Sequence, residues 1–255
     1  MYCLTSWRDV KEPVDYLHQT YCEAKGRRMY LYAVSLGGCI STHYLINDDA
    51  NTPFSGAVTY GTPMNPVMTA KPFKERLWGL YDWGLGLSLN LKVRKVLPQL
   101  QKHCSKEKGE IFRKGLYDES FRLTAFDENM IAPMFGYKDA MDYYKHGTVS
   151  GLLHKITRCP TMFLEGNDDP LMIPESFPRD EIAKNPNLLL ALTNNGGHCC
   201  HLTHSERKVF GLAALDWISW FFPSSSWFAG PIIDFFDTIE RQHLVREQGQ
   251  NKSAL

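Results

Sequence analysis

The sequence lacks any apolar run that approaches the roughly 18 residues of a membrane-spanning helix. Residues 1–9 also contain no apolar core of signal-peptide length. An excess of charge is absent as well, because 28 lysine and arginine residues balance 28 aspartate and glutamate residues. Without a basic excess the sequence predicts no nucleic-acid partner, and without an acidic block it predicts no disordered acidic tail.

Cysteine pairs of the C-x-x-C type are likewise absent, and the total of seven cysteines is odd. This pattern favours free, buried thiols in a reducing compartment over a disulfide framework. We therefore expect a cytoplasmic or membrane-associated protein. The seven positions are Cys3, Cys22, Cys39, Cys104, Cys159, Cys199 and Cys200.

What the sequence does contain is a serine at a strand-to-helix turn. Residues 29–34 are rich in β-branched and aromatic side chains and predict a strand, which leads into Ser35, a glycine pair and a helix over 39–46. Such a nucleophile elbow lifts the serine hydroxyl above the sheet, where a base can reach it. Ala33 replaces the first glycine of the usual G-x-S-x-G pattern, so a structural serine in a tight turn is the alternative.

Two more apolar stretches predict strands that end in suitable partners for this serine. The stretch 161–170 begins as an apolar strand and ends in a turn that contains Asp168 and Asp169, and the stretch 188–198 is another apolar strand that ends in His198. The chain order of serine, aspartate and histidine is the order expected of an α/β hydrolase. Because the carboxyl ends of parallel strands open on one crevice, we expect the three side chains to meet there.

These residue types suit acyl transfer through a covalent intermediate. His198 is expected to take the proton of the Ser35 hydroxyl and return it to the leaving group, while an aspartate orients the imidazole. The backbone N–H of Leu36, next after the serine, is the first expected donor to the oxyanion. This chemistry needs no metal and no organic cofactor.

Residues 126–144 resemble the cap segment of the YheT-like α/β hydrolases, and so do residues 168–170, 185–187 and 193–198. The resemblance extends over nearly the whole chain but over only the latter part of the family's. It implies an esterase or lipase, with some members acting on phospholipids, and hence an ester or lipid substrate.

The family's usual pattern also places the acid of the Ser-Asp-His triad just before a proline. In this sequence that position is Asp169, which precedes Pro170. Asp168 remains the alternative, and it is otherwise expected to hydrogen-bond the turn.

The resemblance implies an α/β fold, a partial α/β-hydrolase fold with a mostly parallel sheet and a helical cap insertion. Residues 1–63 and 156–247 are expected to form the core, residues 64–155 the cap or lid, and residues 248–255 a tail. The family places further strands and an oxyanion loop before the elbow strand, and residues 1–28 match neither.

We therefore expect the strand over 29–34 to form an exposed sheet edge, open to self-association or to a partner chain. The competing hypothesis is a catalytically weak or inactive fragment that acts through a protein partner at this edge.

Apolar residues at helical spacing predict further elements around this core. They indicate a helix that ends at Gly26, cap helices through 77–87 and 93–100, and closing helices over 206–220 and 231–247.

Two details of these helices carry expectations of their own. Gly79, Gly84, Gly86 and Ser88 are expected to loosen the first cap helix and to let it move. Aromatic residues crowd the stretch 215–236, which we expect to pack on the sheet, with contact at a bilayer interface as the alternative.

Two clusters compete with the serine site for a functional role. Asp127 and Glu128 suit acid–base chemistry, although we expect them to be solvated on a cap helix. The second cluster suits zinc, but adjacent residues rarely converge on one ion, so we expect no metal site. Its members are His198, Cys199, Cys200, His201 and His204.

Overall fold

The computed structural model describes residues 2–116, 121–203 and 225–253. Four parallel strands form its centre, namely β1 (Met29–Val34), β2 (Phe54–Tyr60), β3 (Thr161–Gly166) and β4 (Leu188–Thr193). Their spatial order equals their chain order, and each pair of neighbours is parallel. The predicted α/β fold with a mostly parallel sheet is therefore confirmed.

The strand that precedes Ser35 lies at one edge of this sheet. Within the described residues, β1 pairs with β2 alone, and the side chains of Tyr32 and Val34 are exposed. A short antiparallel pair, formed by Leu202–Thr203 and Ser225–Ser226, follows β4 in the chain.

Helices surround the sheet and form a separate layer between β2 and β3. In the described residues they are α1 (Arg8–Leu17), α2 (Leu36–Asn47), α3 (Pro66–Glu75), α4 (Leu80–His103), α5 (Lys106–Leu116), α6 (Leu123–Phe126), α7 (Ala132–Phe135), α8 (Ala140–Gly147), α9 (Arg179–Lys184) and α10 (Ala229–Ser253). We call helices α3 to α8 the cap. The closing helix predicted over 231–247 corresponds to α10, whereas the one predicted over 206–220 lies outside the described residues.

Alternation along the inner strands gives the sheet two buried faces. Val58, Met162 and Leu164 pack with Ile232 of α10 on one face. On the other face, Phe163 belongs to a larger core that includes α2 and most of the cap. Because both faces are covered, the inner strands read as continuous apolar runs in the sequence.

The closing helix is also tied to the edge strand by polar contacts. The Tyr30 hydroxyl donates to Glu240 Oε1 at 2.5 Å, and Arg28 Nη1 lies 2.8 Å from Glu240 Oε2. Gly56 of β2 permits this packing, since a Cβ there would be 2.5 Å from the Ile239 side chain. The helix therefore fixes the strand that leads to Ser35.

The glycines of α4 have a different role from the one predicted. The helix is continuous, and a Cβ at Gly86 would lie 2.1 Å from the Phe121 carbonyl oxygen. The expectation that Gly86 loosens the helix is therefore wrong, because this glycine lets α4 pack against the backbone leading into α6. A Cβ at Gly84 meets nothing within 4 Å.

The structure can be compared with two expectations from the sequence, one on membrane-spanning helices and one on free thiols. In the part of the chain that the structure describes, no helix combines the length and apolar character needed to cross a bilayer. All seven cysteines are free, and Cys3, Cys39 and Cys159 are buried.

Candidate active site

Ser35 occupies a strained turn between β1 and α2. Its backbone has φ 54° and ψ −124°, a left-handed conformation that non-glycine residues rarely adopt. The backbone N–H of Ser35 holds this turn in place, because it donates to the Tyr60 carbonyl oxygen at 2.7 Å. Strain of this kind persists where the surrounding structure fixes it, and here it projects the hydroxyl away from the end of the strand.

His198 lies directly against this hydroxyl. Its Nε2 atom is 2.8 Å from Ser35 Oγ, so the two side chains are within hydrogen-bonding distance although they are far apart in the chain. The histidine follows β4 in a loop that contains two positive-φ glycines, Gly196 and Gly197. The expected meeting of serine and histidine at the carboxyl end of the sheet is therefore present in the structure.

Asp169, and not Asp168, contacts the far side of the imidazole. Its Oδ2 atom lies 2.7 Å from His198 Nδ1, and the aspartate is only 1% exposed. The other oxygen, Oδ1, accepts from the N–H groups of Leu171 at 2.7 Å and Met172 at 3.3 Å. With both oxygens bound, the carboxylate has one orientation, and that orientation faces the histidine.

Asp168 holds the histidine loop instead of the ring. Its carboxylate accepts from the N–H of Gly197 at 2.8 Å and from that of Gly196 at 3.2 Å. This contact agrees with the expected hydrogen-bonding role, but it reaches across to another loop rather than staying within its own turn.

Two further residues support the site and were missed in the sequence. Arg76, which follows α3 of the cap, donates through Nη1 to the carbonyl oxygens of Asp169 at 2.7 Å and Met172 at 2.9 Å. Glu165, near the end of β3, accepts from the Thr62 N–H at 2.9 and 3.1 Å. Neither contact has a local sequence signal, because each joins segments about 90 to 100 residues apart.

Glu165 is fully buried beneath the site. Burial raises the pKa of its carboxyl well above the usual range, and the nearby charge of Asp169 acts in the same direction. The Thr62 N–H opposes this rise. The residue thus links the loop after β2 to the strand that delivers Asp169.

Comparison with known proteins shows the family to which this chain belongs. A family model described as alpha/beta hydrolase fold matches residues 5–205. The chain belongs to the alpha/beta hydrolase family. Its chain order of serine, aspartate and histidine, which follow β1, β3 and β4, agrees with the pattern of that fold.

Curated relatives of this hydrolase chain include two lipid enzymes. A monoacylglycerol lipase of Saccharomyces cerevisiae is 31% identical over 174 residues, which is 68% of this chain and 38% of the relative. The phospholipase ABHD3 of Mus musculus is 28% identical over 198 residues, which is 77% of this chain and 45% of the relative. The chain therefore spans less than half the length of each of these two relatives.

An alpha/beta fold family hydrolase from Bacillus anthracis shares 17% identity with a TM-score of 0.43, over 77% of this chain and 68% of that one.

A cavity of about 440 Å³ lies between the hydrolase core and the cap. Ser35 and Leu36 form part of its wall, and the cap contributes mainly apolar side chains such as Phe73, Leu89 and Phe126. Its volume falls in the range of small-molecule sites, and most of the side chains that line it are apolar. The arrangement therefore suits a largely apolar ligand.

One acidic residue in the wall of this cavity corrects the sequence expectation. Asp127 is only 8% exposed, and the Tyr144 hydroxyl donates to its Oδ2 at 2.7 Å. Burial raises the pKa of its carboxyl to about 7. The expectation of solvated side chains is wrong for Asp127, while its neighbour Glu128 is exposed.

The histidine and cysteine run does not form a cluster of ligands. The ring nitrogens of His201 lie 2.5 Å from the Tyr60 hydroxyl and 2.6 Å from Thr193 Oγ1. Burial raises the pKa of the Cys199 thiol to about 12. Among the described residues no group of three histidine, cysteine or acidic side chains is placed to hold a metal, and His204 lies outside them.

Proposed function

We propose that this hydrolase cleaves carboxylic esters of lipids through an acyl-enzyme formed on Ser35. The observation that carries the proposal is the unbroken chain of contacts from Ser35 Oγ to His198 Nε2 at 2.8 Å and from His198 Nδ1 to Asp169 Oδ2 at 2.7 Å. The Ser35 end of this series of contacts lies in the wall of a cavity of about 440 Å³, where a substrate has room to bind.

The proposed reaction begins with attack of Ser35 Oγ on the ester carbonyl carbon. His198 accepts the hydroxyl proton and then delivers it to the departing alcohol oxygen, which leaves an acyl group on the serine. Water then attacks the acyl carbon as His198 takes a proton from it, and collapse of the intermediate releases the acid and restores the serine. Asp169 holds the imidazole in the productive tautomer and stabilises its charged form.

The oxyanion requires donors that are in place before the reaction. Leu36 is the first residue of α2, and the N–H of a first helical residue has no acceptor within its helix. The positive end of the helix dipole lies at the same place. We therefore assign the Leu36 N–H as one oxyanion donor.

Two features support lipid esters as the substrate class. The cavity wall is mainly apolar, and relatives of this chain carry the names monoacylglycerol lipase and phospholipase. We also propose placement in the YheT-like branch, which the cap segment 126–144 and the ending 193–198 support.

A fluorophosphonate probe tests this proposal, because it reacts only with an activated serine. We expect stoichiometric labelling of the purified chain, loss of labelling in Ser35→Ala, and normal labelling in the control Ser55→Ala on β2. Hydrolysis of p-nitrophenyl esters of increasing chain length then measures the preference of the cavity. A folded chain that neither labels nor hydrolyses any of these esters would contradict the proposal.

The exposed edge of β1 favours a second candidate, a non-catalytic chain that binds a partner strand. Its unpaired backbone groups provide a template for such pairing. This candidate predicts folded protein that fails to label and that self-associates, and proline at Leu31 would then abolish the association. Labelling of a monomer would contradict it.

A further inference from the structure

Helix α4 of the cap has two different sides. One side lines the cavity through Leu85, Ser88, Leu89 and Lys92. A neighbouring side of the helix carries Leu80, Trp83, Leu87 and Leu91, which recur at the three- and four-residue spacing of one helical stripe. Leu80 and Leu91 are more than half exposed, although apolar side chains at this spacing usually face a core.

The turn before α4 extends this apolar surface. Leu77 and Trp78 have φ values of 46° and 56°, and both side chains point into solvent. Trp78 is 93% exposed, the most exposed large hydrophobic side chain among the described residues. We call this surface the cap ridge, and it consists of Leu77, Trp78, Leu80, Trp83 and Leu91. Exposed apolar side chains grouped along one helical stripe and the turn before it are typical of a contact site on a protein.

The charged residues of the segment that carries the cap ridge indicate which class of partner binds there. The whole chain has a net charge of zero, but residues 66–103 contain seven lysine and arginine residues against two acidic ones. One of the two acids, Asp82, is buried and bound to Thr124 and Arg122. Lys74 and Lys95 are exposed, and neither has an ion-pair partner within the described residues.

We propose that the cap ridge docks on an anionic lipid surface. Tryptophan is favoured at the boundary between headgroups and acyl chains, and lysines beside it attract anionic headgroups. A protein partner would need acidic groups around an apolar groove, whereas a bilayer supplies negative charge above a continuous apolar layer. The excess of basic residues in segment 66–103 therefore favours the lipid surface.

The position of the cavity gives the docking a consequence. Leu85, Ser88 and Lys92 are exposed as well as cavity-lining, so the cavity opens along the same helix that bears the cap ridge. A surface bound at the cap ridge would bring its lipid esters to this opening. This second step rests on the proposed function, but the docking itself does not require hydrolysis.

The test measures vesicle binding of the full chain in a Ser35→Ala background, where no chemistry occurs. Flotation is carried out with vesicles of phosphatidylcholine alone and of phosphatidylcholine with phosphatidylglycerol. We expect binding to the anionic vesicles that is at least tenfold weaker in Trp78→Ser/Trp83→Ser. The control Tyr16→Ser/Val245→Ser removes exposed apolar side chains from α1 and α10 and should bind like the parent.

Charge reversal supplies an independent arm. Lys74→Glu/Lys95→Glu should weaken binding to anionic vesicles and remove its dependence on salt. Thermal unfolding of each variant confirms that it folds. The proposal is overturned if the parent binds neither vesicle, if the ridge variant binds like the parent, or if the cap ridge instead holds a dimer that dissociates in Trp78→Ser. Because Ser35→Ala is used throughout, failure of hydrolysis leaves this outcome unaffected.

Discussion

Asp168 and Asp169 are neighbours in the chain, yet their carboxylates reach different parts of one histidine loop. Asp169 lies 2.7 Å from the imidazole Nδ1 of His198, while Asp168 accepts from the backbone of Gly196 and Gly197. The first contact affects the electronic state of the His198 imidazole, and the second fixes the position of the loop that carries it. Substitutions at the two positions should therefore differ in kind.

For Asp169→Asn we expect kcat/KM on a short-chain ester to fall by about 10⁴-fold, because an amide favours the wrong imidazole tautomer. For Asp168→Asn we expect a fall of roughly 10-fold, together with a lower melting temperature, since two loop hydrogen bonds weaken. Steady-state kinetics and calorimetry on both variants check this. Equal losses of activity with an unchanged melting temperature would reverse the assignment of the acid.

Gly61 packs against the site and should not tolerate a side chain. It has φ +61°, and a Cβ there would lie 2.4 Å from Cys199 Sγ and 3.2 Å from His198 Cε1. Gly26 is a matched control, because it has φ +59° and open space around it. Gly26→Ala should cost about 1 kcal/mol of unfolding free energy from backbone strain alone.

Gly61→Ala should cost more than this control and should also displace His198. We expect a loss of about 2–4 kcal/mol from strain and overpacking together. The rate of fluorophosphonate labelling should fall in Gly61→Ala and stay unchanged in Gly26→Ala. Urea unfolding and labelling time courses measure both effects, and equal stability of the two variants would argue against the packing described here.

Asp127 should make stability depend on pH. Its pKa in the folded chain is raised from 3.8 to about 7, so the folded chain keeps a proton that the unfolded chain releases. The contribution of Asp127 to stability is then greatest below about pH 4, falls as the pH rises towards 7, and is lost above that. The contribution of this group is at most about 4 kcal/mol.

Asp127→Asn should therefore flatten the decline of unfolding free energy between pH 4.5 and 7.5. Glu165, whose pKa is also raised, contributes a slope of the same sign that stays in the variant. Urea denaturation at several pH values gives the comparison, with Glu128→Gln as the exposed neighbouring control. An unchanged slope in Asp127→Asn would show that the carboxyl is ionised in the folded chain.

The glycines of α4 provide a last matched pair. Gly84→Ala should stabilise the protein by about 0.5–1 kcal/mol, because alanine is the better helix former and nothing lies near its Cβ. Gly86→Ala should destabilise it by about 2–4 kcal/mol, because the methyl group would meet the backbone at Phe121. Melting temperatures that move in the same direction would contradict this account of the cap.

Local patterns made the core of the site predictable. The strand before Ser35, its sharp turn and the glycines before His198 each leave a signal within about ten residues, and the order of parallel strand ends then brings them together. The expectation for Asp127 failed because its burial comes from packing with Tyr144, 17 residues away. The contact of Arg76 with the site could not be predicted from the sequence for the same reason, since its acceptors lie in another segment of the chain.

Helical spacing also reached its limit in the cap. It correctly grouped Leu80, Trp83 and Leu87 on one side of a helix, but it wrongly included Leu77, which lies in the turn before α4. It also could not tell whether that side would be covered. Periodicity states which residues share a direction, and only the tertiary arrangement states what lies in that direction.

The placement of the cap between β2 and β3 has an evolutionary consequence. Ser35, Asp169 and His198 all lie outside it, so insertions and substitutions in residues 66–147 can change the cavity wall while these three residues stay in place. Arg76 is the exception, because its guanidinium joins the cap to the backbone of the acid. Diversification of the cap should therefore be freest beyond α3 and most constrained at that arginine.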